Sequence, residues 1–266
     1  WVSNEVDAFI LAGLSKAKLS PSPRAAPRAQ VRRLYFDLTG MPPSAEEIST
    51  FEKDPSDAAY LALVDKLLAS SHYGERWGRH WLDIARFGES DGFERNTPRN
   101  NLWPFRDWVI KALNADMPYD EFARMQVAGD LIKPGVEGKS AVAFLAAGLH
   151  NTVVGGSEFM KKTARQDELE EIAGAVGQTF FGLTVNCARC HDHKYDPISQ
   201  KEYYRLTSAL GGVYHGDQQV QVIVEADKLA AAKEALKGTE DKLAAIGNEA
   251  RKKVLEARKA APEKAQ

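Results

Sequence analysis

Apolar residues in this chain recur at intervals of three and four almost wherever they recur at all, and that spacing restricts the fold to packed helices. Tyr60, Leu63, Val64, Leu67 and Leu68 form one stripe behind Ser56, a residue type suited to capping a helix start. Ser44 precedes Glu47 by three positions, just after Pro42 and Pro43, in a capping-box pattern. Ser199 and Glu202 repeat that pattern ahead of Tyr203, Leu206 and Leu210. Pro104 suits the first turn of a helix carrying Trp108, Val109 and Leu113. Leu169, Ile172, Ala173, Val176 and Phe180 mark another helix, and Asp167, Glu168, Glu170 and Glu171 read as its acidic start, favourable to the dipole. Trp77, Trp81 and Ile84 share a face of a further helix. The one strand candidate is Val220–Val224, where valines alternate.

The expected fold class is therefore mainly α: an irregular multi-helix domain with long loops near residues 88–102 and 150–160, over residues 1–216. Gly211, Gly212 and Gly216 precede a change of composition to Ala, Lys, Glu and Leu beyond Glu225. Residues 217–266 then read as a short strand and a charged helical arm, linking to a further domain. Leu229, Leu236, Leu243 and Ala250 lie seven apart, a weak coiled-coil signature. Gly238 and Gly247 each weaken it by roughly 1 kcal/mol relative to Ala, so a solvated single helix competes with a paired one. The chain opens at Trp1 without an initiator methionine or signal peptide, as expected of a piece of something longer. A formal net charge of −2 gives no basic field for nucleic acid or an anionic membrane. No apolar run is long enough to cross a bilayer.

The only two cysteines stand three positions apart, which excludes a scaffold of structural disulfides. They form the segment Cys187-Ala188-Arg189-Cys190-His191. Two thiols separated by two residues, followed at once by histidine, is the pattern of c-type haem attachment. The spacing has a physical reason. Thioether bonds to two vinyl groups need sulfurs about one helical turn apart, and the next imidazole then reaches the iron as an axial ligand. Two other chemistries compete: a redox disulfide, which lacks a thioredoxin-like βαβ context, and a zinc site completed by His191 or His193.

The second axial ligand is harder to read. His80 lies three residues after Trp77 and beside Trp81, so it is expected on the apolar side of its helix, as distal ligand or as a core histidine. Met125, Met160, His150, His215 and an open or water-filled position are the alternatives. His193 is too near His191 to cross the ring, and is expected to bond a propionate or orient the site. Arg189, Arg165 and Lys194 are candidates to pair with propionates, against ordinary surface salt bridges. No nucleophile–base–acid spacing is readable, and Asp83 with Glu89 fits surface charge better than a catalytic carboxylate pair.

Several stretches resemble one family. They are residues 32–43 (Arg-Arg-Leu-Tyr-Phe-Asp-Leu-Thr-Gly-Met-Pro-Pro), 73–77, 79–83, 106–110, 114–120 and 187–199, the last running Cys187-Ala188-Arg189-Cys190-His191-Asp192-His193-Lys194 and on to Ser199. Together they look like the planctomycete-type cytochrome c domain of unknown function, over roughly residues 1–215. The resemblance implies large, exported, multidomain proteins, often with another haem domain before this one and an uncharacterised domain after it. The family's haem motif falls on Cys187, Cys190 and His191. Its genomic company implies a link to polysaccharide degradation.

The leading expectation is thus a haem c domain that transfers electrons to a redox partner protein or neighbouring domain, in the periplasm or at the cell surface. A haem-dependent redox enzyme acting on carbohydrate with a C-terminal domain is the second expectation, with a cleft near Trp103, Tyr195 and residues 88–102. A structural zinc module is the third.

Overall fold

The computed structural model describes residues 2–93, 95–218 and 226–260, and within them the chain is helical. Eleven α-helices occur among the described residues: α1 Glu5–Lys16, α2 Pro27–Leu38, α3 Ala45–Lys53, α4 Asp57–Leu68, α5 Ser71–Ile84, α6 Trp103–Asn114, α7 Tyr119–Ile132, α8 Val136–Val142, α9 Glu158–Val176, α10 Gln200–Ala209 and α11 Ala226–Ala260. The mainly α expectation holds. Val220–Val224 lies outside the described residues. Backbone contacts divide the chain into two compact units, Trp1–Gln218 and Gln219–Gln266.

Helix starts follow the capping chemistry. Ser44 and Glu47 form both halves of a capping box on α3, and Ser199 and Glu202 do so on α10. Ser56 Oγ accepts the Ala59 amide at the head of α4. Pro104 sits in the first turn of α6, where its missing N–H costs nothing.

The first unit holds two apolar clusters. Val31, Leu34, Tyr35, Phe51 and Leu67 join α2, α3 and α4. The larger cluster gathers α6, α7, α9 and α10 around Phe105, Trp108, Phe122, Met125, Phe144 and Ile172. Trp108 stacks on Phe122 at 5.2 Å, and Trp81 meets the same ring edge-on at 4.8 Å. Gln126 is fully buried here, with both ends of its amide satisfied. Its Oε1 accepts the Trp81 indole N–H at 2.6 Å, and its Nε2 donates to the Phe122 carbonyl at 3.1 Å.

Two sequence expectations are corrected by this packing. The buried face of α5 is the one bearing Gly74 and Gly78, because side-chain-free positions let α5 lie close against Ile110 of α6. Trp81 joins that face, but Trp77 and Ile84 point outward, 42% and 49% exposed. The acidic run 167–171 does not start a helix. α9 begins well before Asp167, at Glu158, with Ser157 Oγ capping the Met160 amide. The four acids are mid-helix, where Asp167 and Glu170 share Arg189, Glu168 pairs with Arg165 and Glu171 with Arg86.

The second unit contains α11, a single long helix. Leu236, Leu243 and Ile246 of the heptad pattern are all exposed.

Candidate functional site

The segment carrying both cysteines is set by the end of α9. Gly174 and Gly177 leave a notch there: a Cβ at Gly174 would collide with the Asn186 amide, and one at Gly177 would press on Val185 at 2.8 Å. Asn186 also donates to the Glu170 carbonyl at 3.3 Å. α9 continues through a wide turn, Gly177–Phe181, which Gly182 ends in the left-handed conformation at φ 66°. The chain then doubles back into a 3-10 helix, Val185–Arg189.

Three residues per turn decides which way the cysteines face. Val185 and Ala188 lie on the inner side, and Ala188 is fully buried in the main core. Cys187 and Cys190 are likewise three apart on another side, and both are exposed, unpaired thiols. His191 follows, also exposed, with Nδ1–H donating to the Asp192 carbonyl at 2.7 Å. That bond leaves Nε2 as the free, lone-pair nitrogen.

The turn is held rigidly from α10. Gln200 Nε2 and the Tyr204 hydroxyl both donate to the Arg189 carbonyl, at 3.0 and 3.2 Å. The Gln200 amide donates to Asp192 Oδ1 at 2.7 Å. His193 closes the following loop. Its Nδ1 accepts the Asp196 amide at 2.8 Å, and its Nε2 donates to Thr184 Oγ1 at 3.2 Å. With a side chain only 5% exposed and both ring nitrogens engaged, His193 orients the loop and is not free to bond a propionate.

The arginines are also committed. Arg189 bonds Glu170 and, at 2.9 Å, Asp167. Asp167 first, then Glu170 against the cost of burial, hold its guanidinium charged well above the ordinary range. Arg165 bonds Glu168 and the carbonyls of Gly211 and Val213, and lies 4.1 Å over the Tyr214 ring. Arg189 and Arg165, candidates for propionates in the sequence, are thus engaged by internal carboxylates, in line with the salt-bridge alternative. Lys194 lies over the exposed Tyr195 ring at 5.2 Å.

His80 is exposed, its ring 5.5 Å from that of Trp77, and it lines an open surface depression with Arg79, Leu82, Asp83 and Phe87. The reading of His80 as a residue on the apolar face of α5 is corrected, since the glycine face is the inner one. Met125 is buried in the main core, and Met160 is exposed at the start of α9. Glu89 pairs with Arg106 at 2.9 Å, as a surface charge does. Trp103 is exposed at the start of α6.

One grouping has no signature in the sequence. His150, Glu168 and His215 converge from the loop before α9, the middle of α9 and the segment after α10. Glu168 Oε1 lies 3.0 Å from His150 Nδ1 and 2.6 Å from His215 Nδ1, and the two imidazoles stack at 4.2 Å. Burial works to raise the Glu168 carboxyl, but Arg165 and His215 outweigh it and leave the group below its ordinary value. Burial, and then the neighbouring His150, hold His215 below the usual imidazole range. Separations of 18 and 47 residues carry no local pattern, so only the folded chain reveals the grouping.

A family model described as PSCyt2, protein of unknown function (DUF1549), matches residues 5–215. The chain belongs to this family. It is a planctomycete cytochrome c-like domain of unknown function. The PSCyt2 match takes in α1 to α10, the cysteine turn and His215, and leaves α11 outside. No curated protein and no solved structure matches the chain. Among the described residues no helix is long and apolar enough to cross a membrane.

Proposed function

We propose that this PSCyt2 domain holds a c-type haem through Cys187 and Cys190, with His191 Nε2 as an axial ligand, and serves electron transfer within a larger exported protein. One observation carries the reading. Two exposed, unpaired thiols and an exposed imidazole project from a single short turn whose inner residues are anchored in the core. Each thiol would add its S–H across one vinyl C=C bond, sulfur to one carbon and hydrogen to the other, so attachment consumes no oxidant. The Asp192 carbonyl fixes the His191 ring and its tautomer, as a backbone acceptor does for metal-bound histidines generally. The iron would supply a one-electron couple.

The chain's own residues supply rigidity. Arg189 ties the turn to α9, Gln200 and Tyr204 tie it to α10, and His193 ties the loop that follows back to Thr184. Lys194, at the exposed end of the turn, is the cation left to meet a porphyrin carboxylate. Covalent haem attachment takes place outside the cytoplasm, which supports a periplasmic or cell-surface location. The partner is then a redox protein or neighbouring domain, with the link to polysaccharide degradation a property of the larger protein.

The test is a pyridine haemochrome spectrum on chain produced with a c-type maturation system. One haem per chain is expected, lost in Cys187→Ser/Cys190→Ser, with a single-thioether spectrum in either single variant. A folded, matured chain without haem, or with zinc on the two thiols, contradicts the proposal.

A further inference from the structure

We propose that His150, Glu168 and His215 form a second, separate site, for a borderline transition-metal cation of the Zn2+ or Fe2+ class. One donor atom from each of the three lies within 4.8 Å of the other two. Both imidazoles turn Nδ1 toward the same carboxylate oxygen, with ring planes only 17° apart. Two histidines and one carboxylate converging from three segments is the donor set of open zinc sites and of non-haem iron sites. Oxygen-seeking Ca2+ and Mg2+ are disfavoured by two nitrogen donors.

The surroundings are built to hold that set. The side chains of Glu168 and His215 are 14% and 10% exposed, and that of His150 is 30% exposed, which leaves one open side. Arg165 occupies the other carboxylate oxygen, so Oε1 is presented alone. The same guanidinium grips the Gly211 and Val213 carbonyls and so places His215. The His150 amide donates to the Asp91 carbonyl at 3.0 Å, while the Asp91 carboxylate pairs with Arg99 at 2.6 Å. Glu168 with Arg165 and Asp91 with Arg99 cancel in charge, so the ion pairs around the site add no net repulsion toward a cation. Metal binding needs each Nδ1 lone pair, which puts the ring proton on Nε2. His215 Nε2 is buried without a partner, and either tautomer leaves it so. Three protein ligands leave at least one coordination position for water or substrate.

The experiment uses the full chain as Cys187→Ser/Cys190→Ser, which removes the competing thiols and any attached haem and alters only exposed side chains. After chelator treatment it is titrated with Co2+, read by ligand-field absorption, and with Zn2+ in competition. One equivalent is expected to bind. His150→Ala/His215→Ala weakens binding by more than about 100-fold, and Arg165→Gln by roughly 10–100-fold, as for an outer-shell partner. Nitrogen NMR of the histidine rings gives a readout independent of those variants: Zn2+ shifts the signals of His150 and His215 and leaves the other histidines in place. Absence of binding by the folded cysteine-free chain overturns the proposal. So does one equivalent that persists without both imidazoles, or a Zn2+ shift confined to other histidines.

Discussion

Single side chains in this domain matter most where a polar group is buried with its partners complete. Gln126 is the clearest instance, because Trp81 has no other acceptor on its indole N–H among the described contacts. Gln126→Leu keeps the volume but orphans that donor, and costs about 1–3 kcal/mol in denaturant unfolding. Glu47 supplies a pH signal. The neighbouring Tyr35 hydroxyl, the Ser44 amide and the Lys66 ammonium hold its carboxyl down at about 2, from an ordinary 4.5. Between those values the unfolded chain binds the proton and the folded chain does not. The stabilisation is thus complete above pH 4.5 and lost as the pH falls toward 2. An acid titration of stability should show this limb, and Glu47→Gln should flatten it.

At the scale of elements, the 3-10 helix at Val185–Arg189 converts a spacing into a direction. Val185 and Ala188 are committed inward, so the cysteines three apart on another side are exposed. Ala188→Leu overpacks the main core and lowers stability by about 1–3 kcal/mol in thermal unfolding, while both thiols still react with a maleimide. Caps and stripes of this kind are legible in the sequence: Ser44–Glu47, Ser56 and Ser199–Glu202 act locally, within one turn of the residues they bond. Two element-level expectations fail because the deciding contact is not local. The tryptophans of α5 suggest the wrong inward face, since Gly74 and Gly78 define it only in the presence of α6. The acids at 167–171 resemble a helix start because partners that hold them in place, Arg189, His215 and Arg86, lie 19 or more residues away in sequence. The true cap of α9 is Ser157, ahead of a first turn with only Glu158 as an acid.

At the scale of the whole molecule, the two proposed sites occupy different parts of the first unit, both braced by α9. The cysteine turn leans on its C-terminal end through Gly174 and Gly177, and the His150–Glu168–His215 grouping is built on its middle. The haem motif is legible in the sequence because all its residues are contiguous. The second grouping is not, because its members come together only when the loop before α9 and the segment after α10 close over the helix. If the haem serves electron transfer, the iron is six-coordinate, and cyanide added to the matured chain leaves its visible spectrum essentially unchanged. A prompt cyanide shift would point instead to an open position and to the enzymatic expectation. The most direct measurement of the central claim is the intact mass of the full chain from a host with c-type maturation, followed by fragmentation of the peptide that spans Cys187 to His191. The account predicts a gain of one haem, retained under denaturation and confined to that peptide. A matured, folded chain of unmodified mass, with both thiols free to alkylate, would contradict it.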